Sequence, residues 1–373
     1  MATRQDKIFM QRALSLAEKG LGYVSPNPMV GCVIVSKDGS IIGEGFHERY
    51  GKAHAEVNAV RSVEDSDKLR KATVYVTLEP CSHQGKTPPC ADMLAKLPIS
   101  KVVVAMKDPN PNVNGKGLDI LRENDIQVEV GLLQKEAKEL NEKWLHALET
   151  SLPFVTLKVA QTADGYVAAP NGDSKWISCK ESRELVHRWR SQDDAVLVGR
   201  NTALYDNPQL TVRLVEGRQP KRVVLDGPFE LPKNLNLFSD SFEEKTVIVT
   251  HNKKKAKDDA DPMLKMLQSN YFRGEIITVE KNESGHVNLR EGLHKLYDSG
   301  IHSVLVEGGQ QLSSALLGQG LVDRLQLFIA PKILGGGTKS IINLNINRME
   351  DIRPFRNFVW HQSGSDMLLT ANL

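Results

Sequence analysis

The sequence predicts an α/β protein built in two parts, on three observations. Short apolar strand runs alternate with amphipathic helical patterns from end to end. The length of 373 residues exceeds what one hydrophobic core usually serves. The rhythm also restarts at Pro153, which cannot extend the helical pattern before it. The boundary therefore falls at about residue 150, giving domains over 1–150 and 151–373.

Residues 6–20 read as the first helix, with Ile8, Phe9, Ala13, Leu16 and Ala17 on one face and Gly20 as a stop. Runs at 30–35 and 41–45 flank Lys37-Asp38-Gly39-Ser40, a hairpin pattern. Further strand runs lie at 73–77, 101–105 and 126–130, and helical patterns at 55–63, 90–97, 116–124 and 134–149. The second part opens with a strand over 154–160. Strands follow near 194–198, 221–225, 246–250, 275–279, 303–306 and 323–330, with helices near 180–191, 289–299 and 310–319. Residues 366–373 close as a strand. Such alternation implies layered sandwiches around largely parallel sheets.

Composition narrows the class. Hydrophobic content of 40% and charged content of 25% are ordinary for a globular protein. No apolar run approaches the ~20 residues of a bilayer span, and the amino terminus leads into an amphipathic pattern rather than a signal-peptide segment. Among the four cysteines, Cys32 lies in an apolar run and Cys179 stands alone, which suits a reducing compartment, the cytoplasm. Residues 1–150 carry 20 Lys+Arg against 20 Asp+Glu, and the rest 28 against 26, of totals 48 and 46. Neither half has the basic excess of a nucleic-acid binder. Lys253-Lys254-Lys255 is answered by Asp258, Asp259 and Asp261 and reads as a solvated loop. The expected partner is a small nucleotide-like molecule, with no nucleic acid and no membrane.

The chemistry concentrates in His54-Ala55-Glu56 and in the segment from Pro80-Cys81 to Pro89-Cys90. One imidazole and two thiolates make a three-ligand zinc site with a fourth position for water. Glu56 is then a proton carrier, the pattern of zinc deaminases acting on nucleobase rings. The alternatives are a structural site with a fourth ligand, which His83 could supply, and core residues that hold no metal. Residues two apart do not share a mid-helix face, so His54 and Glu56 are expected in the first turn of a helix. A helix start under Cys81 or Cys90 would favour thiolates.

Eight residues separate the two thiolates, whereas polynucleotide and cytidine-type deaminases carry Cys-x-x-Cys. The intervening segment, with Ser25-Pro26-Asn27-Pro28-Met29-Val30-Gly31, Gly45-Phe46-His47, Leu78-Glu79-Pro80, Asp108-Pro109-Asn110 and Gly115-Lys116-Gly117, resembles the deaminase half of the bifunctional RibD family of riboflavin biosynthesis. That resemblance implies a cytidine-deaminase-like α/β/α sandwich. It also implies a pyrimidine and phosphoribosyl pocket lined by Asn27, His47, Glu79, His83, Lys86, Asp108 and Asn110. On the residues alone, Asn27 and Asn110 sit between prolines and read equally as turn-formers. Lys86 reads as a surface lysine or a phosphate contact.

The second part resembles the reductase partner in that family, which implies a dihydrofolate-reductase-like α/β domain using NADPH. The motifs are Lys158-Val159-Ala160-Gln161-Thr162-Ala163-Asp164-Gly165, Ser174-Lys175-Trp176, Val198-Gly199-Arg200-Asn201-Thr202, Asp206-Asn207-Pro208 and Val306-Glu307-Gly308-Gly309-Gln310. By resemblance, Ala160, Trp176, Thr202, Asp206, Gly227, Gly308, Gly309 and Gln310 meet the cofactor. Lys158, Ser174, Arg190, Leu210, Arg213 and Glu307 meet the substrate. A strand ending in Gly-Gly before a helix admits a pyrophosphate, although Gly-Gly alone also reads as a turn. Without Gly-x-Gly-x-x-Gly, the preference for NADPH comes from the resemblance. Arg190 and Arg213 suit phosphate forks, and Arg190 equally reads as the closing cation of its helix.

The resemblance implies two reactions. The first is zinc-dependent removal of the 2-amino group of 2,5-diamino-6-ribosylamino-4(3H)-pyrimidinone 5′-phosphate. The second is NADPH reduction of 5-amino-6-(5-phosphoribosylamino)uracil to the ribityl product. A homo-oligomer, dimer or tetramer, follows by analogy. Two other readings are a nucleic-acid-modifying deaminase, opposed by the balanced charge and the cysteine spacing, and a zinc-stabilised scaffold without catalysis.

Overall fold

The computed structural model describes residues 3–82, 89–110, 113–260, 272–344, 346–352, 354–355 and 357–373. Helix α1 (Arg4–Ala17) is started by Thr3, whose hydroxyl accepts the Asp6 N–H at 3.1 Å while the Asp6 carboxylate accepts the Thr3 N–H at 2.7 Å. Its buried face is Phe9, Met10, Ala13, Leu14, Leu16 and Ala17, and Ile8 points to solvent, contrary to the helical face expected of it. Strands β1 (Gly31–Val35) and β2 (Ile41–Phe46) form the hairpin, and β3 (Thr73–Val76) pairs antiparallel with β1. Strands β4 (Lys101–Val104) and β5 (Gln127–Val130) continue in parallel, giving the order β2-β1-β3-β4-β5.

Strand residues alternate between two cores, as a period of two requires. Ile34, Val74 and Val102 pack with Ala55 and Ala59 of helix α2 (Ala55–Arg61), Leu94 of α3 (Cys90–Ala95) and Leu118 and Leu121 of α4 (Lys116–Glu123). Val33, Val35, Tyr75 and Val103 face α1 and Ala137 of α5 (Gln134–Leu140) on the other side. The result is an α/β/α sandwich. Gly45 permits the close seat of α2 on β2: a Cβ there would lie 2.3 Å from the Ala59 amide. The single helix expected over 134–149 is two, α5 and α6 (Glu142–Thr150). Between them the buried Asn141 accepts the Met29 N–H at 2.8 Å and donates to the Met29 carbonyl at 2.9 Å, pinning the loop that carries Asn27.

The chain divides into compact units Met1–Thr150 and Ser151–Leu373. The second unit holds nine strands in one sheet. These are β6 (Phe154–Thr162), β8 (Ala195–Gly199), β9 (Lys221–Leu225), β10 (Thr246–Thr250), β11 (Glu275–Thr278), β12 (Ser303–Val306), β13 (Arg324–Ala330), β15 (Asn357–Ser363) and β16 (Asp366–Asn372). Their order is β11-β10-β9-β8-β12-β6-β13-β16-β15, parallel as far as β13 and antiparallel beyond it. Strands β7 (Tyr166–Ala168) and β14 (Thr338–Lys339) form a separate pair.

Helices α7 (Lys180–Gln192) and α8 (Arg200–Asp206) flank β8 in sequence, and α8 has no counterpart in the sequence expectation. The expected loop at Lys253–Lys255 is the start of a helix, Lys253–Ala260. The Asn252 side chain accepts the Lys255 N–H at 3.2 Å, and this cap offsets the like-charge run. Strand β15 was likewise not expected. It is an edge strand, exposed over nearly its whole length, so it lacks the apolar alternation that marks a buried strand. Among the described residues no helix is long and apolar enough to cross a membrane.

Candidate active sites

His54 is the N-cap of α2 and Glu56 its second residue, so the two wrap around the first turn. Cys90 opens α3, and its main-chain N–H donates to Cys81 Sγ at 3.3 Å. The amides of a helix start thus favour a thiolate at Cys81. His54 Nδ1 lies 3.5 Å from Cys81 Sγ and 3.3 Å from Cys90 Sγ, and all three donor atoms fall within 4.8 Å of one another. Tetrahedral zinc, with bonds of roughly 2.0 Å to nitrogen and 2.3 Å to sulfur, sets its ligands about 3.5 Å apart. Donor type and spacing both fit that ion. Among the described residues no fourth His, Cys, Asp or Glu joins the cluster.

Glu56 is 3% exposed. Burial pushes its carboxyl up to about 7, and the Cys81 charge adds to the effect. Between the thiols, hydrogen bonding from Cys90 holds Cys81 down at about 4 and Cys90 correspondingly well above the ordinary thiol range. Cys32, fully buried in β1, is pushed up chiefly by burial and keeps a neutral thiol.

Asn27 and His47 are brought to the same place. Asn27 Nδ2 lies 3.1 Å from His47 Nε2, and His47 Nδ1 lies 3.1 Å from the carbonyl of Ala53, which precedes His54. One neutral tautomer satisfies both contacts, with Nδ1–H donating and Nε2 accepting. Burial lowers the pKa of His47 and supports that form.

Glu79 departs from its expected substrate contact. Its carboxylate accepts the main-chain N–H groups of Asp108 (3.2 Å), Gly115 (2.8 Å) and Gly117 (3.1 Å), and the residue is 3% exposed. A carboxylate so engaged organises the loop bearing Asp108 and Asn110 rather than facing a ligand. Asp108 Oδ1 accepts the Asn110 N–H at 2.8 Å, a turn-forming bond. His83 and Lys86 lie outside the described residues.

In the second unit, every residue expected against cofactor or substrate lines one open cleft. The cleft runs past the carboxyl ends of β8, β9 and β12, where parallel sheets bind ligands. Gly309 caps the helix Gln310–Gly318. A Cβ on Gly308 would lie 2.7 Å from Leu312, and one on Gly309 would lie 3.5 Å from the Thr202 hydroxyl. The bare backbone and helix start are suited to a dinucleotide pyrophosphate. A Cβ on Gly227 would lie 2.8 Å from His251 Nε2, so this glycine admits the imidazole beside the cleft.

The arginines divide. Arg190 gives Nε and Nη2 to the Glu307 carboxylate at 2.6 and 2.9 Å and Nη1 to the Thr211 carbonyl at 3.0 Å. Three of its five N–H groups are therefore committed, one Nε/Nη2 fork lying on Glu307. Burial pushes Glu307 up, but Arg190 and Lys158 outweigh it and hold the carboxyl at about 2. Burial lowers Lys158, partly answered by Glu307. Leu210 is buried and takes a left-handed φ of 54°. The sequence reading missed His187, which lines this cleft. Its spacing of three residues from Arg190 on one helix was the available signal.

The chain matches the RibD C-terminal domain over residues 153–362 and the cytidine and deoxycytidylate deaminase zinc-binding region over residues 3–106. It is 42% identical to the riboflavin biosynthesis protein RibD of Aquifex aeolicus over 365 residues, covering 98% of this chain and 97% of the relative. Identity to the Escherichia coli protein of the same name is 36% over 379 residues, 98% of each. Among solved structures it is similar to Acinetobacter baumannii RibD, with a TM-score of 0.87, 37% identity and 99% of each chain covered. A Thermotoga maritima diaminohydroxyphosphoribosylaminopyrimidine deaminase/5-amino-6-(5-phosphoribosylamino)uracil reductase matches with a TM-score of 0.83 and 37% identity, over 99% of this chain and 98% of that one. Similarity of this extent, carried through both units, places the chain in the RibD family of riboflavin biosynthesis, in which a zinc-binding deaminase precedes an NADPH-dependent reductase.

Proposed function

We propose that residues 1–150 hydrolyse the 2-amino group of 2,5-diamino-6-ribosylamino-4(3H)-pyrimidinone 5′-phosphate, and that residues 151–373 reduce 5-amino-6-(5-phosphoribosylamino)uracil at C1′ of its ribosyl group with NADPH. The observation that carries the first half is the His54, Cys81 and Cys90 triad at tetrahedral spacing beside a buried Glu56. His54, Cys81 and Cys90 would hold zinc, which when bound lowers the pKa of a water ligand towards ~7. Glu56 would carry one proton of the attacking water to the ring nitrogen, and then the second, from the hydroxyl so formed on the ring carbon, to the amino group, which leaves as ammonia. Asn27 and His47 orient the pyrimidine. The similarity to the Thermotoga maritima enzyme, whose description names both activities, supports the pairing of reactions.

In the reductase cleft, the Gly308–Gln310 backbone and Thr202 hold the cofactor, while Lys158 and Arg213 hold the substrate. Reduction consists of hydride delivery by the nicotinamide, so the protein supplies position and charge. Glu56→Gln tests the deaminase assignment: the variant should retain one zinc per chain, lose ammonia release by at least about a hundredfold and keep reduction. Normal ammonia release would refute the role of Glu56.

The chain is further read as a cytoplasmic homo-oligomer. Support for association comes from Phe358, Val359 and Trp360 on β15 and Met367 on β16, which leave apolar surface exposed at a sheet edge. Sedimentation equilibrium should give a dimer or tetramer, and a monomer at assay concentration would sink this part.

A further inference from the structure

We propose that His187 is a positioning residue of the reductase site: it holds Arg213 so that the guanidinium receives the 5′-phosphate of the substrate. The proposal rests on the reductase reading above. His187 lies in α7, 6% exposed, at the wall of the cleft. Its Nδ1 accepts the main-chain N–H of Arg213 at 3.0 Å. That bond requires an unprotonated Nδ1 and so fixes the tautomer with hydrogen on Nε2. Burial and the neighbouring Arg190 and Arg213 all disfavour the imidazolium, which preserves the acceptor.

Arg213 needs such a hold because regular structure does not supply one. Residues 207–213 belong to no helix or strand, and the segment takes a left-handed φ at Asn207 and Leu210. Side chains fix it instead: Asn236, Arg222 and Arg190 donate to the carbonyls of Asn207, Gln209 and Thr211. Gln219 accepts the Val212 N–H at 2.8 Å and donates to the Val212 carbonyl at 2.8 Å, and His187 takes the next amide, that of Arg213.

The guanidinium so placed gives one Nη1 hydrogen bond to the Thr211 hydroxyl at 2.7 Å. A guanidinium carries five N–H donors, so Arg213 keeps a face for an oxyanion. Arg190 has fewer to offer, because the Glu307 carboxylate and the Thr211 carbonyl take three of its five. The phosphate therefore falls to Arg213, and its placement to His187.

The test uses the full chain with His187→Ala, His187→Asn and His187→Gln. Reductase kcat and KM are measured for the phosphorylated substrate and for its dephosphorylated counterpart. His187→Ala should raise KM for the phosphorylated substrate roughly tenfold, the loss expected from one misplaced hydrogen-bond acceptor acting on a charged contact. It should change kcat less than about threefold and leave KM for the dephosphorylated compound alone. Asn places a carbonyl oxygen where Nδ1 stood and should return KM to within about threefold of wild type. Gln carries its oxygen one methylene too far and should behave like Ala, which keeps the test open if Ala impairs folding. Unchanged KM in both Ala and Gln variants, or equal rises for the two substrates, overturns the proposal. A wild-type chain that does not reduce the nucleotide overturns the reductase reading instead.

Discussion

Glu307 and His187 make the reductase cleft sensitive to acid in two separate windows. Glu307 has its folded pKa depressed to about 2, since the pull of Arg190 and Lys158 exceeds the effect of burial. A carboxyl depressed on folding contributes stability that is complete above its ordinary value near 4.5 and disappears as pH falls towards 2. His187 has its pKa lowered to about 4, chiefly by burial and then by Arg190 and Arg213. The unfolded chain binds that proton from about pH 6.5 downward while the folded chain does not. Its contribution is therefore full above about 6.5 and lost on the way to 4. The urea midpoint of the Ser151–Leu373 unit should fall across both windows. In His187→Asn, which cannot titrate, the slope between pH 6.5 and 4 should flatten while the fall below 4.5 persists. Identical slopes in wild type and variant would refute the assignment of the upper window to His187.

Periodicity made most strands and helices legible, because a buried face leaves an apolar repeat. What stayed hidden has particular causes. Asn141 divides the α5–α6 pattern by bonding Met29, 112 positions away, and no local window contains that partner. Strand β15 carries Phe358, Val359 and Trp360 to solvent, so it shows no alternation. Helix Lys253–Ala260 begins with three lysines, and its cap at Asn252 and ion pairs from Lys253 to Glu280 and Lys255 to Glu230 were invisible in charge alone. Two of the three candidate zinc ligands sit at helix starts that the sequence already marked, His54 before α2 and Cys90 at the head of α3, while Cys81 lies outside any helix. The role of Glu79 could not be read. Its motif pointed to a ligand, while its carboxylate serves three amides from a loop about thirty residues later. The same limit applies to Arg190, whose partner Glu307 lies 117 positions on.

Two compact units with different cofactors allow the catalytic and scaffolding readings of zinc to be separated. A ligand that binds only the folded state stabilises it by RT ln(1 + [L]/Kd), about 2.7 kcal/mol at a hundredfold excess over Kd. Calorimetry should therefore resolve two transitions, with NADPH raising only that of Ser151–Leu373. The Met1–Thr150 unit buries two continuous cores on either face of its sheet, which gives it a source of stability independent of metal. Chelation should lower its transition without abolishing it, remove ammonia release and leave NADPH oxidation unchanged. Re-addition of zinc should restore deamination to the same sample. If chelation instead erases the transition outright, zinc is holding the fold, as in small metal-dependent domains. If NADPH and chelator each shift both transitions together, the units do not act as separate folding entities and the two-site description fails.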